Sequence, residues 1–118
     1  MPKILIVDDA AFMRLRVAKL LTENGYDVLE AGDGQEGVEQ YKNNKPDMVL
    51  MDITMPIMDG ITAVQEIKKH DPNAVVVMCS ALGQQTMVMN SVKAGAKDFI
   101  VKPYQPEKIL ETIKRFIG

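Results

Sequence analysis

Two adjacent aspartates, a third aspartate, a serine and a lysine each close a short apolar run in this chain. Ile4 to Val7 ends on Asp8 and Asp9, Met48 to Met51 on Asp52, Val75 to Cys79 on Ser80, and Phe99 to Val101 on Lys102. If the four runs are neighbouring parallel strands, their tips bring three carboxylates, a hydroxyl and an ammonium to one rim. Carboxylates meeting at one point repel and raise one another's pKa unless a cation neutralises them, and a bound cation is the simplest resolution. The ligands there are oxygens, with no neighbouring His or Cys, which selects a hard ion such as Mg2+ over zinc or copper. Mg2+ completes its shell with water and phosphate oxygens, so the cluster has the parts to receive a phosphoryl group. Asp52 would be the nucleophile that becomes an acyl phosphate, Lys102 a second positive charge, and the Ser80 hydroxyl a hydrogen-bond donor.

Taken singly, each residue has a duller role. Asp8 and Asp9 could cap the helix that follows them, Asp52 could fix a turn, Ser80 could be an ordinary loop hydroxyl and Lys102 a solvated charge. What those roles leave unexplained is the coincidence of all five at the carboxyl ends of successive strands, where open α/β sheets bind their ligands. Asp59 reads as a helix cap. His70, the one histidine, precedes Asp71-Pro72 at a helix end, where it is a surface residue near the negative pole of the dipole.

The elements that must position these residues follow from the alternation of apolar runs with helix-period stretches. Strands are predicted over Ile4 to Val7, Tyr26 to Glu30, Met48 to Met51, Val75 to Cys79 and Phe99 to Val101. Between them, Met13, Val17, Leu20 and Leu21 recur at helical spacing and stop at Asn24-Gly25. Asp33-Gly34 marks a turn before a shorter helix, Glu36 to Lys42, which carries Val38 and Tyr41 on one face and ends at Asn43-Asn44-Lys45-Pro46. Ile61, Val64 and Ile67 make a third helix, stopped before Asp71-Pro72. Gly83, Asn90 and Ser91 weaken the fourth. The fifth starts near Pro106 with Ile109, Ile113, Phe116 and Ile117 as a core-facing stripe.

Strict alternation of strands and helices implies an α/β fold, a doubly wound five-stranded parallel sheet with five helices on its two faces. The first, third and fourth runs are continuously apolar, as strands buried on both faces must be. Asp27 with Glu30, and Lys97 with Asp98, carry charge into the other two, which therefore belong at the edges. The strand order 2-1-3-4-5, flavodoxin-like, satisfies this and puts Asp8, Asp9 and Asp52 at its topological switch point.

Composition agrees with one compact domain over residues 1–118. Apolar residues are 47% and charged residues 25% of the 118, as in globular domains that fold without disulfides or metal staples. A net charge of −2 offers no polybasic footprint, so no nucleic-acid partner is expected. The longest apolar stretch, Ala74 to Leu82 interrupted by Ser80, is well short of the ~20 residues a membrane helix needs. Met1-Pro2-Lys3 runs straight into a strand, so no signal peptide and a cytoplasmic setting are expected. The one cysteine, Cys79, lies inside an apolar run and reads as a small buried hydrophobe.

In this order these residues resemble the receiver domain of two-component response regulators, from Lys3 to the C-terminus. The resemblance is carried by Asp8-Asp9, Asp52 followed by Met55-Pro56 and Asp59-Gly60, Ser80-Ala81, Gly95-Ala96 with Asp98-Phe99, and Lys102-Pro103. It implies that Asp52 accepts a phosphoryl group from the phosphohistidine of a sensor kinase. Asp9, Asp52 and the backbone carbonyl of Thr54 would bind Mg2+, with Asp8 acting through water. Lys102 would contact the phosphate, and the Lys102-Pro103 bond would be cis. The family switch moves the Ser80 hydroxyl toward the phosphoryl group and lets the aromatic at position 99 turn inward, biasing the face made by the fourth helix, fifth strand and fifth helix. Phe99 stands where many chemotaxis members have Tyr, so any step that needs a phenolic hydroxyl is in question. Met87 and Met89 could make that face adaptable, but each reads better as core filler.

Within the family, Val7 to Arg14, Met51 to Pro56 and Cys79 to Gln85 look like stand-alone CheY-like chemotaxis proteins. CheY is itself a known case of the 2-1-3-4-5 order, so that order is shared rather than independently predicted. The resemblance implies a phosphoacceptor rather than an enzyme, a monomer with no output domain, a chemotaxis-type histidine kinase as donor and the flagellar motor switch as target, with room for a phosphatase. A single-domain phosphorelay shuttle to a histidine phosphotransferase is the alternative. A haloacid dehalogenase-type phosphatase would need a second Asp where this chain has Thr54. A flavodoxin-like carrier would need a hydroxyl- and glycine-rich loop where it has Asp8-Asp9.

Overall fold

A computed structural model describes residues 2–81, 85–103 and 105–117. Gly83, expected to weaken the fourth helix, and Leu82 and Gln84 of the motif after Ser80 lie outside that set, as does Met1. The described chain alternates β1 (Lys3–Val7), α1 (Ala11–Glu23), β2 (Asp27–Ala31), α2 (Gly34–Asn44), β3 (Met48–Asp52), α3 (Gly60–His70), β4 (Val76–Ser80), α4 (Gln85–Ala94), β5 (Asp98–Val101) and α5 (Pro106–Ile117). All strand pairs are parallel, and the sheet order is β2-β1-β3-β4-β5. The two charged strands are the edges, as expected.

Alternation along each strand divides the core. Ile4, Ile6, Met48, Leu50, Val77 and Cys79 point to the side covered by Val17 and Leu21 of α1 and by Ile109 and Ile113 of α5. Leu5, Val7, Val49, Met51, Val76 and Met78 point to the other, against Val38 and Tyr41 of α2 and Ala63, Val64 and Ile67 of α3. β3 and β4 are buried along their whole length. Each fully buried Leu, Ile or Val contributes about 1.5–3 kcal/mol, so the three central strands form the rigid floor from which the polar tips project. Cys79 is among these buried side chains.

Several boundaries differ from the sequence expectation by a residue or two. The second strand begins at Asp27 rather than Tyr26, because the Tyr26 N–H closes the end of α1 on the Leu21 carbonyl. α2 begins at Gly34, not Glu36, because Asp33 is its N-cap and accepts the Glu36 N–H. β4 includes Ser80, whose carbonyl accepts the Lys102 N–H at 2.8 Å. α4 forms despite Asn90 and Ser91, because Ser91 buries its hydroxyl against its own helix, donating to the Met87 carbonyl at 2.8 Å. Met87 fills core space, but Met89 is exposed, so the core-filler reading holds for only one of the pair. Among the described residues, no helix is long and apolar enough to cross a membrane.

Candidate functional site

The carboxyl ends of β1, β3, β4 and β5 present the predicted residues together. Asp8 follows β1 and is 2% exposed, Asp52 ends β3 at 8%, and Ser80 ends β4 at 4%. Asp9 is exposed. Asp8, Asp9 and Asp52 each offer a carboxylate oxygen within 4.8 Å of the others, close enough for a shared cation. Lys102 reaches in from the residue after β5, its Nζ 2.7 Å from Asp8 Oδ2 and 3.2 Å from Asp52 Oδ1. Val7 and Asp52 are held in place by pairing, with Val7 opposite Met51 and Asp52 opposite Cys79.

Asp8 is the most constrained of the three. Its N–H donates to the Ala31 carbonyl, its Oδ1 accepts the Ala10 N–H, and its Oδ2 accepts from Lys102. Neither Asp8 nor Asp9 caps α1: the N-cap is Ala10, with no side-chain hydrogen bond. Asp59 is a cap, accepting the Thr62 N–H at 2.8 Å. His70 is exposed at the far end of α3, roughly 15 Å along the helix axis from Gly60.

The electrostatics differ in emphasis from simple mutual repulsion. Burial is the largest influence raising the Asp52 pKa; Lys102 opposes it, and the Asp8 charge adds a smaller upward push. For Lys102, burial acts to lower the pKa, but its hydrogen bond to Asp8 and the charges of Asp52 and Asp8 outweigh that and hold it above the ordinary lysine value. An internal ammonium therefore already answers part of the repulsion among the carboxylates. The remaining donor set is all oxygen, which suits a hard divalent ion.

Thr54 lies exposed in the loop after β3. Phe99 sits on β5 opposite Met78 and is half-buried against the α2–α3 side of the core, one strand from Ser80. The Lys102-Pro103 peptide is cis, as the resemblance implied.

Two supporting residues were present in the quoted motifs but had no assigned job. Gly60 passes so close to the end of β3 that a methyl group there would collide with the Asp52 carbonyl oxygen, while its own N–H donates to the Ile53 carbonyl at 2.7 Å. Arg14 extends back from α1 to donate to the Asp8 carbonyl at 2.5 Å. The Asp59-Gly60 pair is a visible turn signal, whereas nothing local in the sequence reveals where the Arg14 side chain folds.

The response regulator receiver domain family matches residues 4–114. This chain belongs to that family. The receiver is 57% identical over 114 residues to the chemotaxis protein CheY of Thermotoga maritima, covering 96% of this chain and 95% of that protein. It is equally 57% identical, over 117 residues and 98% of both chains, to CheY of Bacillus subtilis. Among solved structures, a chain from the CheX-CheY-BeF3-Mg2+ complex of Borrelia burgdorferi matches with a TM-score of 0.93 and 41% identity, over 99% of this chain and 90% of that one. The receiver is thus a CheY-like signalling domain, and its acidic tip is consistent with Mg2+ binding.

Proposed function

We propose that residues 1–118 act as one cytoplasmic receiver domain that takes a phosphoryl group onto Asp52 from the phosphohistidine of a chemotaxis-type sensor kinase. The observation that carries this reading is the meeting of Asp8, Asp9 and Asp52 oxygens within 4.8 Å, with the Lys102 ammonium on two of them. An Asp52 carboxylate oxygen forms the new P–O bond as the P–N bond to the kinase histidine breaks, and the imidazole keeps the electron pair. Asp9, Asp52 and the Thr54 carbonyl would hold Mg2+. When bound, the ion supplies positive charge against the phosphoryl oxygens. Both Asp8 oxygens are already engaged, by the Ala10 N–H and Lys102, which fits a water-mediated role for Asp8 rather than direct ligation.

Once Asp52 is esterified, Lys102 and the Ser80 hydroxyl have a new anionic partner, and their movement biases the face formed by α4, β5 and α5 through half-buried Phe99. Exposed Met89, Val92 and Val101 give that face apolar surface for a partner, read here as the flagellar motor switch. The Borrelia relative, solved in a complex of CheX, CheY, BeF3 and Mg2+, supports a magnesium site and a CheX-like partner; a phosphatase acting on the receiver is a further candidate partner.

The test is transfer from a labelled kinase histidine. The wild-type receiver should take up label in Mg2+ and release it in chelator-free buffer on its own, while Asp52→Asn takes up none; equal labelling of the variant would refute the assignment. Binding of the phosphorylated chain to a histidine phosphotransferase, and not to a motor-switch peptide, would move it to the phosphorelay-shuttle reading.

A further inference from the structure

Among the described residues, Arg14 is a cation bonded to the acidic tip that takes no part in the phosphoryl transfer proposed for Asp52. It is the fourth residue of α1, and its planar guanidinium faces two ways: Nη1 donates to the Asp8 carbonyl at 2.5 Å, and Nε to Glu30 Oε1 of β2 at 3.2 Å. Its side chain is 21% exposed and that of Glu30 38%. An ion pair so open to water contributes little by itself. The contact with the carbonyl is the distinctive one, because that oxygen belongs to the peptide joining Asp8 to Asp9.

The loop needs such an anchor. α1 has no side-chain N-cap and no acidic residue in its first turn, so the usual devices for fixing a helix entry are missing. The Asp8 N–H and both its carboxylate oxygens are held by Ala31, Ala10 and Lys102. The Asp8 carbonyl is the remaining polar atom of that residue, and Arg14 holds it. Asp9, by contrast, is exposed, so its direction depends on the peptide plane before it. Lysine would be a poor substitute: one ammonium lacks the fork that spans two acceptors lying apart.

We propose that Arg14 is a positioning residue for the metal site, clamping the Asp8–Asp9 peptide against β2 so that the Asp9 carboxylate faces Asp52. This rests on the receiver reading of the site. Two effects of removing Arg14 have opposite signs. Loss of a nearby positive charge makes the tip more negative and, by Coulomb attraction alone, tightens binding of a divalent cation. Loss of the clamp lets Asp9 wander and weakens it, and residues that orient metal ligands typically matter by about tenfold or more.

The experiment is calorimetric titration of the full chain with MgCl2 at fixed ionic strength. Arg14→Met should bind Mg2+ about tenfold more weakly than wild type, with Arg14→Lys between the two. Because Arg14 touches no reacting atom, labelling of Arg14→Met by acetyl phosphate should be slow at low Mg2+ and return to within about twofold of wild type at saturation, so the defect lies in metal affinity. Equal or tighter Mg2+ binding by Arg14→Met would overturn the proposal, as would a labelling deficit that persists at saturation. Should Arg14→Met fold poorly in a thermal melt, Arg14→Lys decides: wild-type affinity in that variant overturns the clamp. A wild-type chain that binds no Mg2+ would overturn the site reading and the clamp with it, whereas normal wild-type binding with an unaffected variant would remove the clamp alone.

Discussion

Lys102 and Asp8, 94 residues apart in sequence, meet through a 2.7 Å hydrogen bond between Nζ and Oδ2. The contact ties the loop after β5 to the loop after β1 across two intervening strands. It also makes Asp8, Lys102 and Asp52 one charge system, since the same ammonium lies 3.2 Å from Asp52 Oδ1.

Removing the ammonium should therefore be costly and selective. Lys102→Met leaves two largely buried carboxylates facing each other, and breaking a buried pair from one side costs about 3 kcal/mol. Urea denaturation in chelator should show that loss, and MgCl2 should restore part of it. Lys102→Ala should still accept phosphate on Asp52 yet bind the output partner poorly; partner binding equal to wild type would remove Lys102 from the switch.

Asp52→Asn should have the opposite effect on stability. Burial pushes the Asp52 carboxyl above its ordinary value of 3.8, so the folded state resists its ionisation. The penalty is absent below 3.8 and grows as pH rises through the folded value. The neutral Asn variant should melt higher than wild type in chelator at pH 7, and the gap should narrow toward pH 4. Melting curves across that range check it; a variant less stable than wild type at every pH would show that the contacts of the carboxylate outweigh its burial.

Gly60 has a steric role at the end of β3. Gly60→Ala places a methyl against the Asp52 carbonyl oxygen, and such overpacking against backbone costs about 3 kcal/mol. Chemical denaturation should show a loss of that order, and acetyl phosphate labelling of the folded fraction should fall because the Asp52 backbone has shifted. Unchanged stability would mean the β3–α3 loop yields more easily than its hydrogen bonds imply.

Away from the site, Tyr41 donates to Asp71 Oδ2 at 2.8 Å. The tyrosine hydroxyl is raised above its ordinary range, by burial first and the Asp71 bond second. The same hydrogen bond, followed by the Asn73 N–H, lowers the Asp71 pKa. A lowered carboxyl contributes stability above 3.8 that disappears as pH falls through its folded value. In Tyr41→Phe, NMR titration should find Asp71 moved upward, and the stability deficit of the variant should fade at acid pH. An unmoved Asp71 would contradict the assignment.

The central sheet was legible because continuous apolar runs such as Met48 to Met51 have few alternatives to a strand buried on both faces, and the charges of Asp27 and Glu30 reject a central position. The tip cluster was legible for the same reason: each polar residue stands at, or within two residues after, the carboxyl end of a strand whose direction is known. What escaped depended on side-chain reach. Asp33 reads in the sequence as part of a turn because its capping bond to Glu36 depends on local backbone geometry, and Ser91 reads as weakening the fourth helix because its buried bond to Met87 is invisible in a linear chain. Arg14 lay in plain view beside the acidic pair, but only the fold shows its guanidinium turning back to the Asp8 carbonyl.

The measurement closest to the main claim is mass spectrometry of the chain after incubation with acetyl phosphate and Mg2+, with the modified position mapped by fragmentation. One phosphoryl group, on Asp52, stable in acid and lost in base, is the predicted result. Modification at another residue, or uptake on Asp52 that is indifferent to removal of Mg2+, would contradict the account.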